Sequence, residues 1–434
     1  MELRKRVSKL TISRFYCGAV ALVFLLGISP VILNVLVDPY EMANVIDLGL
    51  KKKTISEKAH YPLWKISHYP AASADLLILG DSRARSLRDK YWHELGVVNA
   101  YNFAYGGATI SEIYDTFNYV KHNKQIKTFV VGIQLRSFDP LHKNGLNRVP
   151  EAIKLKRNRL AYYSNWFVSR IGLKILWNLF RLEPNLFATQ TGTAIASAHA
   201  GEIKRRSYNS IMKAKDIEAC RRCILPENVT PSALPTTKTI DFHHYSNGLG
   251  IWSKLWRPIT INRNLTGKYE RQVRKNAKSD WKSFTFSKTY WEKIVTISDW
   301  CKRNNVKLIF VIPPTIIEMQ NRIAEFGFGE LNHKFRMRLA KLGTVVDFDF
   351  DNRFTRNLKL FSDAYHSNYK AARQIVGEIV QLASYDRRVV SKARKRRGKI
   401  ICPLNVSDVT NKTSDKKLEV LEGQSCRIWR MRNG

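Results

Sequence analysis

Residues 74–85 read ADLLILGDSRAR, and this stretch decides the fold. Asp75 to Leu79 is a compact apolar run of strand length, cut off by Gly80, Asp81 and Ser82. A buried strand that ends in a tight turn with a serine at its tip places a hydroxyl at the edge of a sheet. Open α/β folds carry their chemistry there.

The same rhythm recurs outward from this stretch. Strands are expected at Val97 to Phe103, Lys127 to Leu135, Val306 to Ile312 and Thr344 to Phe350. Helical patterns lie between or after them, over Arg83 to Leu95, from a cap at Ser111 to about His122, over Lys288 to Arg303 and over Asn368 to Leu382. Strands alternating with helices predict an α/β fold with a mostly parallel sheet. The rhythm breaks after Pro140. Leu160 to Phe180 is aromatic, amphipathic and helical in pattern, and Thr193 to Gly267 is irregular. Residues 141–287 therefore read as an insertion that serves as a lid or substrate cleft.

The chain carries 73 Lys and Arg against 36 Asp and Glu, a formal net charge of +37. An excess of that size points to acidic partners: anionic lipid, an acidic polysaccharide or nucleic acid. No nucleic-acid motif accompanies the basic cluster Arg394 to Arg397, so no nucleic-acid partner is expected. Beyond Tyr385 the chain is polar and basic without periodicity, and residues 386–434 read as a disordered tail.

Phe15 to Val37 is an almost uninterrupted apolar stretch of about bilayer length. Arg4, Lys5, Arg6, Lys9 and Arg14 precede it, and Asp38, Glu41 and Asp47 follow. The positive-inside bias places residues 1–14 in the cytoplasm and the rest outside. No small-residue cleavage site follows, so residues 15–37 read as an uncleaved signal anchor, with 38–73 as a connector. The expected location is a single-pass inner (plasma) membrane protein with a periplasmic main domain.

Six cysteines form no framework. Cys17 lies in the apolar segment, Cys220 and Cys223 form a lone CxxC, and Cys301, Cys402 and Cys426 are scattered. A structural zinc needs four ligands at paired spacings, and no second CxxC exists, although His243 and His244 are near in sequence. No metal site is expected.

Residues 362–368 read SDAYHSN. Asp363 and His366 are three apart, a spacing that lets the carboxylate reach the imidazole in a turn entering a helix. The carboxylate fixes the ring tautomer, and the other ring nitrogen is free to take a proton from Ser82. A tetrahedral intermediate also needs donors for its oxyanion. Candidates are the backbone N–H of Ser82, one near Gly107 in the turn Gly106-Gly107, and a group in the loop after Leu135.

On Gly80-Asp81-Ser82, Gly106-Gly107 and Asp363-x-x-His366, the chain resembles the SGNH (GDSL-like) hydrolase superfamily. It is most similar to its membrane-anchored branch associated with bacterial cell-envelope and exopolysaccharide genes. Val37-Asp38-Pro39-Tyr40 after the anchor, NFAYGGAT, VVGIQLRSF, VIPP and FSDAYHSN add to the likeness, which covers about Asp75 to Asp139 and Val306 to Leu382. The resemblance implies a flavodoxin-like three-layer α/β/α sandwich built from residues 74–140 and 288–385. It implies Ser82 as nucleophile, His366 as base, Asp363 as its orienter and Gly107 as the oxyanion glycine, with Asp81 and Arg83 in support. The superfamily's Gly-x-Asn-Asp is replaced here by Gly132-Ile-Gln134-Leu-Arg136-Ser-Phe-Asp139, so Gln134 is the candidate amide donor. The implied activity is that of a serine esterase or O-acetyltransferase on envelope or exopolysaccharide glycans, without metal or organic cofactor. Anionic or acetylated polysaccharide, the membrane and other polysaccharide-biosynthesis proteins are the implied partners. The missing asparagine and the insertion favour a second reading, an inactive domain of the same fold that binds polysaccharide in an assembly.

Overall fold

Five short apolar runs stack side by side as a parallel sheet: β1 (Leu76–Gly80), β2 (Ala100–Asn102), β3 (Thr128–Gly132), β4 (Lys307–Ile312) and β5 (Thr344–Asp347). The computed structural model describes residues 27–43, 50–141, 145–182, 265, 267–383, 418–422 and 426–431. They fall in two compact units, the first within residues 1–67 and 154–236, the second within 68–153 and 237–434.

The second unit holds the sheet, in the order β2-β1-β3-β4-β5-β7-β6. Every residue of β1 is buried, and all but the first of β3, β4 and β5 are buried or nearly so. Strands covered on both faces read as continuous apolar runs, which is why LLILG and TFVVG were legible. Right-handed crossovers put helices on both faces. On one face helix Ile110–Val120 packs on helix Lys288–Arg303, with Phe117, Phe129 of β3 and Trp300 meeting edge to face at 5.3 to 6.4 Å. On the other, Asp89–Glu94 packs on Tyr369–Ala383.

Three local readings change. Thr109, not Ser111, caps helix Ile110–Val120, and it shares a capping box with Glu112. The segment Arg83 to Leu95 divides into a 3-10 turn (Ala84–Ser86) and helix Asp89–Glu94. The part of the basic tail that is described is regular: β6 (Leu418–Glu422) and β7 (Arg427–Met431) form an antiparallel hairpin, and β7 pairs antiparallel with β5 from Val345↔Trp429 to Asp347↔Arg427. Val420, Ile428 and Trp429 make a strand once β5 offers an unpaired edge.

One close approach shapes the site. Gly80 and Gly132 are register partners on β1 and β3. A Cβ on either would collide with the Cβ of Ala84, and one on Gly80 would also lie 2.7 Å from the Gly132 carbonyl oxygen. Gly80 further adopts φ +143°. Two glycines side by side therefore let the turn after Ser82 lie directly on the strand ends.

The first unit is helical where described. Residues 27–37 are helical, followed by Lys53–Ala59, Tyr61–Ser67, Arg159–Tyr163 and Trp166–Leu182. The expected single helix over Leu160 to Phe180 is thus two, broken at Ser164 and Asn165, where the Asn165 side chain accepts from the Phe167 amide. Asp38 is buried with φ +39° and accepts from Met42 N, Ala43 N and the Tyr162 hydroxyl. The motif VDPY thus ends the first helix and ties it to the Tyr162 helix. Residues 15–26 of the expected anchor lie outside the described residues, and no described helix is long and apolar enough to cross a membrane. Cys17, Cys220, Cys223, Cys402, His243 and His244 also lie outside them, as do residues 142–144, 183–264 and 266 of the expected insertion.

Candidate active site

Parallel strands leave their C-terminal ends on one edge, and the chain reverses direction across the sheet between β1 and β3. Such a switch point opens a crevice at the strand ends. Ser82 follows β1, the glycine turn follows β2, and Gln134 and Arg136 follow β3. The loop before helix Tyr369–Ala383 brings in Asp363 and His366.

The three expected residues meet. Ser82 Oγ lies 2.9 Å from His366 Nε2, and His366 Nδ1 lies 2.8 Å from Asp363 Oδ1. Asp363 is buried, whereas the His366 side chain is 37% exposed, so the triad faces solvent from its imidazole outward. Burial alone would raise the Asp363 carboxyl. Hydrogen bonds from His366 and Lys268 and from the Tyr365 amide outweigh it and hold the group well below the usual carboxylate range. An ionised Asp363 accepts from Nδ1–H, which leaves the Nε2 lone pair for the Ser82 hydroxyl proton. Asp363 also accepts the amides of Tyr365 and His366 at 2.9 and 3.0 Å, so one carboxylate shapes the turn and orients the ring. The helix that follows has its own cap, Asn368, which accepts from Lys370 N and Ala371 N. No family model and no curated protein matches this chain.

The turn that carries Ser82 is held from below. Asp81 Oδ1 accepts the Arg83 amide at 2.9 Å, and Asp81 Oδ2 accepts from Gln134 Nε2 at 3.1 Å. The Ser137 backbone amide donates to the Gln134 backbone carbonyl, and the Gln134 backbone amide donates to the Ser137 hydroxyl. Gln134 therefore braces the turn of Ser82 against the β3 loop through one of its two Nε2–H groups. Asn102, which the sequence reading passed over, donates to the carbonyls of Ala84 and Leu87 and accepts from Ala104 N. An asparagine buried at the end of a strand was the available signal, since its four hydrogen-bonding sites must be met somewhere.

Backbone donors remain for a developing oxyanion. The Tyr105 amide donates to the Gly80 carbonyl, so the Gly106-Gly107 turn leaves the sheet beside the end of β1. Gly107 adopts φ +71°. Among the described residues the amides of Ser82 and Gly107 donate to no protein acceptor. The glycine turn is anchored by the Thr109 capping box and by buried Glu112, which receives Arg148 Nε at 2.8 Å and Nη2 at 3.1 Å.

The end of the expected insertion grips the loop that carries Asp363 and His366. Lys268 Nζ lies 2.8 Å from Asp363 Oδ2, the Tyr269 hydroxyl donates to the Phe361 carbonyl, and Gln272 Oε1 accepts the Ala364 amide. The Tyr365 hydroxyl donates to Asp280. Helix Gly267–Arg271, a π-helical turn (Gln272–Asn276) and helix Ala277–Trp281 carry these four residues, so residues 267–281 serve as a brace. Lys268→Met removes one of the groups that hold Asp363 ionised. The Asp363 carboxyl then rises toward its ordinary range but stays ionised at neutral pH, because His366 and the Tyr365 amide still hold it down. On the enzymatic reading kcat at pH 8 is expected to fall on the order of tenfold or less through looser orientation of the His366 ring. Activity in the variant that is already lost near neutral pH would show that Lys268 alone keeps Asp363 ionised.

Proposed function

We propose that this chain is a membrane-anchored, extracytoplasmic serine esterase or O-acetyltransferase of the SGNH type, acting on acyl esters of envelope or exopolysaccharide glycans. The observation that carries the proposal is the relay from Ser82 to His366 to Asp363, with contacts of 2.9 and 2.8 Å. The parallel strand order 2-1-3-4-5 supports the flavodoxin-like sandwich expected for that superfamily.

The geometry suits acyl transfer through a covalent intermediate. Ser82 Oγ attacks the ester carbonyl as its proton passes to His366 Nε2. Ionised Asp363 stabilises the imidazolium, and the amides of Ser82 and Gly107 receive the oxyanion. Collapse breaks the bond to the sugar oxygen, which takes the proton from Nε2 and leaves an acyl-Ser82. Water, or a second sugar hydroxyl, then attacks with His366 as base. No step calls for a metal or an organic cofactor.

The net charge of +37 supports an acidic glycan as partner. The apolar run at residues 15–37 and its basic flank support the anchor. In the same unit Trp166, Leu173 and Trp177 stand exposed along one side of helix Trp166–Leu182, as Ile32 and Leu36 do on residues 27–37, which suits a membrane-proximal position. The engagement of Gln134 with Asp81 favours the second reading, a domain that binds glycan without turnover.

One assay separates the readings. The full chain in detergent is incubated with p-nitrophenyl acetate, with and without an oligosaccharide acceptor. Release of p-nitrophenol that accelerates with acceptor and yields acetylated sugar identifies a transferase, and release without sugar acetylation identifies an esterase. No release above a Ser82→Ala control would sink the enzymatic reading.

A further inference from the structure

We infer that Arg83 and Arg136 form an anion-binding subsite beside the nucleophile, which recognises a carboxylate on the substrate close to the scissile ester. The inference rests on the reading of Ser82 as nucleophile and names the substrate class of that site.

Arg83 is the residue after Ser82 and is 7% exposed. Its backbone is engaged, with its amide on Asp81 and its carbonyl on the Ser86 hydroxyl. Among the described residues no hydrogen bond or ion pair involves its guanidinium. Arg136 lies four residues past Gly132, the register partner of Gly80, so both arginines rise from adjoining strand ends. Its Nη2 meets Asp280 at 3.1 Å, whereas its Nη1 is buried without an acceptor. The two cations are close enough for each to be felt by the other, and burial pulls the Arg136 guanidinium below its ordinary range against the attraction of Asp280 and Asp139.

The neighbouring carboxylates are committed elsewhere. Asp81 holds the Arg83 amide and Gln134. Asp280 divides its oxygens between Arg136 Nη2 and the Tyr365 hydroxyl. Asp139 accepts the Leu141 amide. Asp349 receives Thr315 and Gln320 on one oxygen and faces Arg336 with the other, and it feels the charge of Arg83 without a hydrogen bond to it. Buried guanidinium N–H groups without an acceptor are costly, and here Arg83 and the Nη1 of Arg136 both carry them. A carboxylate that arrives at the Arg83 guanidinium also feels the charge of Arg136 beside it, in a setting of low dielectric where a charge-assisted pair discriminates strongly.

Two measurements test the subsite. The first needs no turnover: Trp281, whose ring lies 6.0 Å from the Arg136 guanidinium, reports binding by fluorescence in the Ser82→Ala protein. Glucuronate is expected to bind saturably and glucose not at all, with Arg83→Gln or Arg136→Gln weakening glucuronate about ten- to hundredfold. Arg83→Lys, which keeps the charge, should retain part of the binding. Equal affinity in all variants would overturn the subsite, and inorganic phosphate binding more tightly than glucuronate would overturn the choice of carboxylate. The second measurement is the ratio of kcat/KM for 3-acetoxybenzoate to that for its methyl ester. The ratio should exceed one in the wild type and fall about tenfold or more in Arg83→Gln, whatever the absolute rates. An unchanged ratio would overturn the inference. Hydrolysis of the methyl ester that survives Ser82→Ala would instead strike the reading of the nucleophile and leave the binding result standing.

Discussion

Replacing Ser82 by Ala should abolish labelling by a serine-directed fluorophosphonate and lower ester turnover by a factor on the order of ten thousand or more. The size follows from the chemistry. Without the hydroxyl no acyl-enzyme forms, and only the oxyanion donors and substrate binding remain to assist direct attack by water. His366→Ala should cost nearly as much, because the hydroxyl then has no base at 2.9 Å to take its proton. The double variant should be little worse than either single one, since residues that act as a unit lose their effect together. Folding should survive both changes: Ser82 and the imidazole face the opening, and the Asp363 turn keeps its own amide bonds to residues 365 and 366. Equal labelling of wild type and Ser82→Ala would remove the nucleophile from the account.

The sheet and the triad were legible in the chain because both rest on local signals. LLILG and KLIFVI are strand-length apolar runs, and each ends at a breaker, Gly80 with Asp81 in one case and Pro313-Pro314 in the other. Asp363 and His366 share one turn, so their spacing alone allows the contact. What was not legible depends on partners far away in the chain. Nothing in the short segment Lys268-Tyr-Glu-Arg-Gln272 says that it will grip residues 361–366, some 90 positions on. The bond from Gln134 to Asp81 was hidden because Asp81 lies 53 residues before it and is brought alongside only by the pairing of β1 with β3. The β6–β7 hairpin was hidden by the basic composition around it. Its strand character is realised only against the edge of β5, a pairing that sequence periodicity does not encode.

Those long-range ties also locate the second large effect, on stability. Arg336→Met should destabilise the sheet-bearing unit by about 3–5 kcal/mol, the usual result of removing one partner from a buried ion pair. Arg336 projects from helix Gly329–Ala340 and is buried. Its Nε meets Asp347 Oδ2 at 2.7 Å, and its Nη2 reaches the Asp349 carbonyl at 2.8 Å and the Asp349 carboxylate at 3.8 Å. Asp347 is fully buried at the end of β5, where neighbouring β7 gives it Arg427 as register partner. Asp349 in turn accepts Thr315 N and Oγ1, and the next amide, Ile316 N, donates to the Ala364 carbonyl of the catalytic loop. Loss of the cation therefore loosens β5 and the turn that supports the triad together.

The pH dependence has a definite sign. Burial raises the Asp349 carboxyl above its ordinary value even with Arg336 in place. Without that cation the Asp349 carboxyl rises further, so the folded state holds a proton that the unfolded state has released. Stability of the variant then falls as pH rises through the window above the unfolded carboxylate value of about 3.9. Urea unfolding at pH 5 and pH 8 should show the gap between wild type and Arg336→Met widening toward pH 8. Adding Asp347→Asn to the variant should restore part of the loss by removing the stranded charge, although the amide cannot repeat every bond of the carboxylate. A gap that is constant across pH, or a double variant no more stable than Arg336→Met, would mean that packing of the arginine stem rather than its charge holds β5 in place.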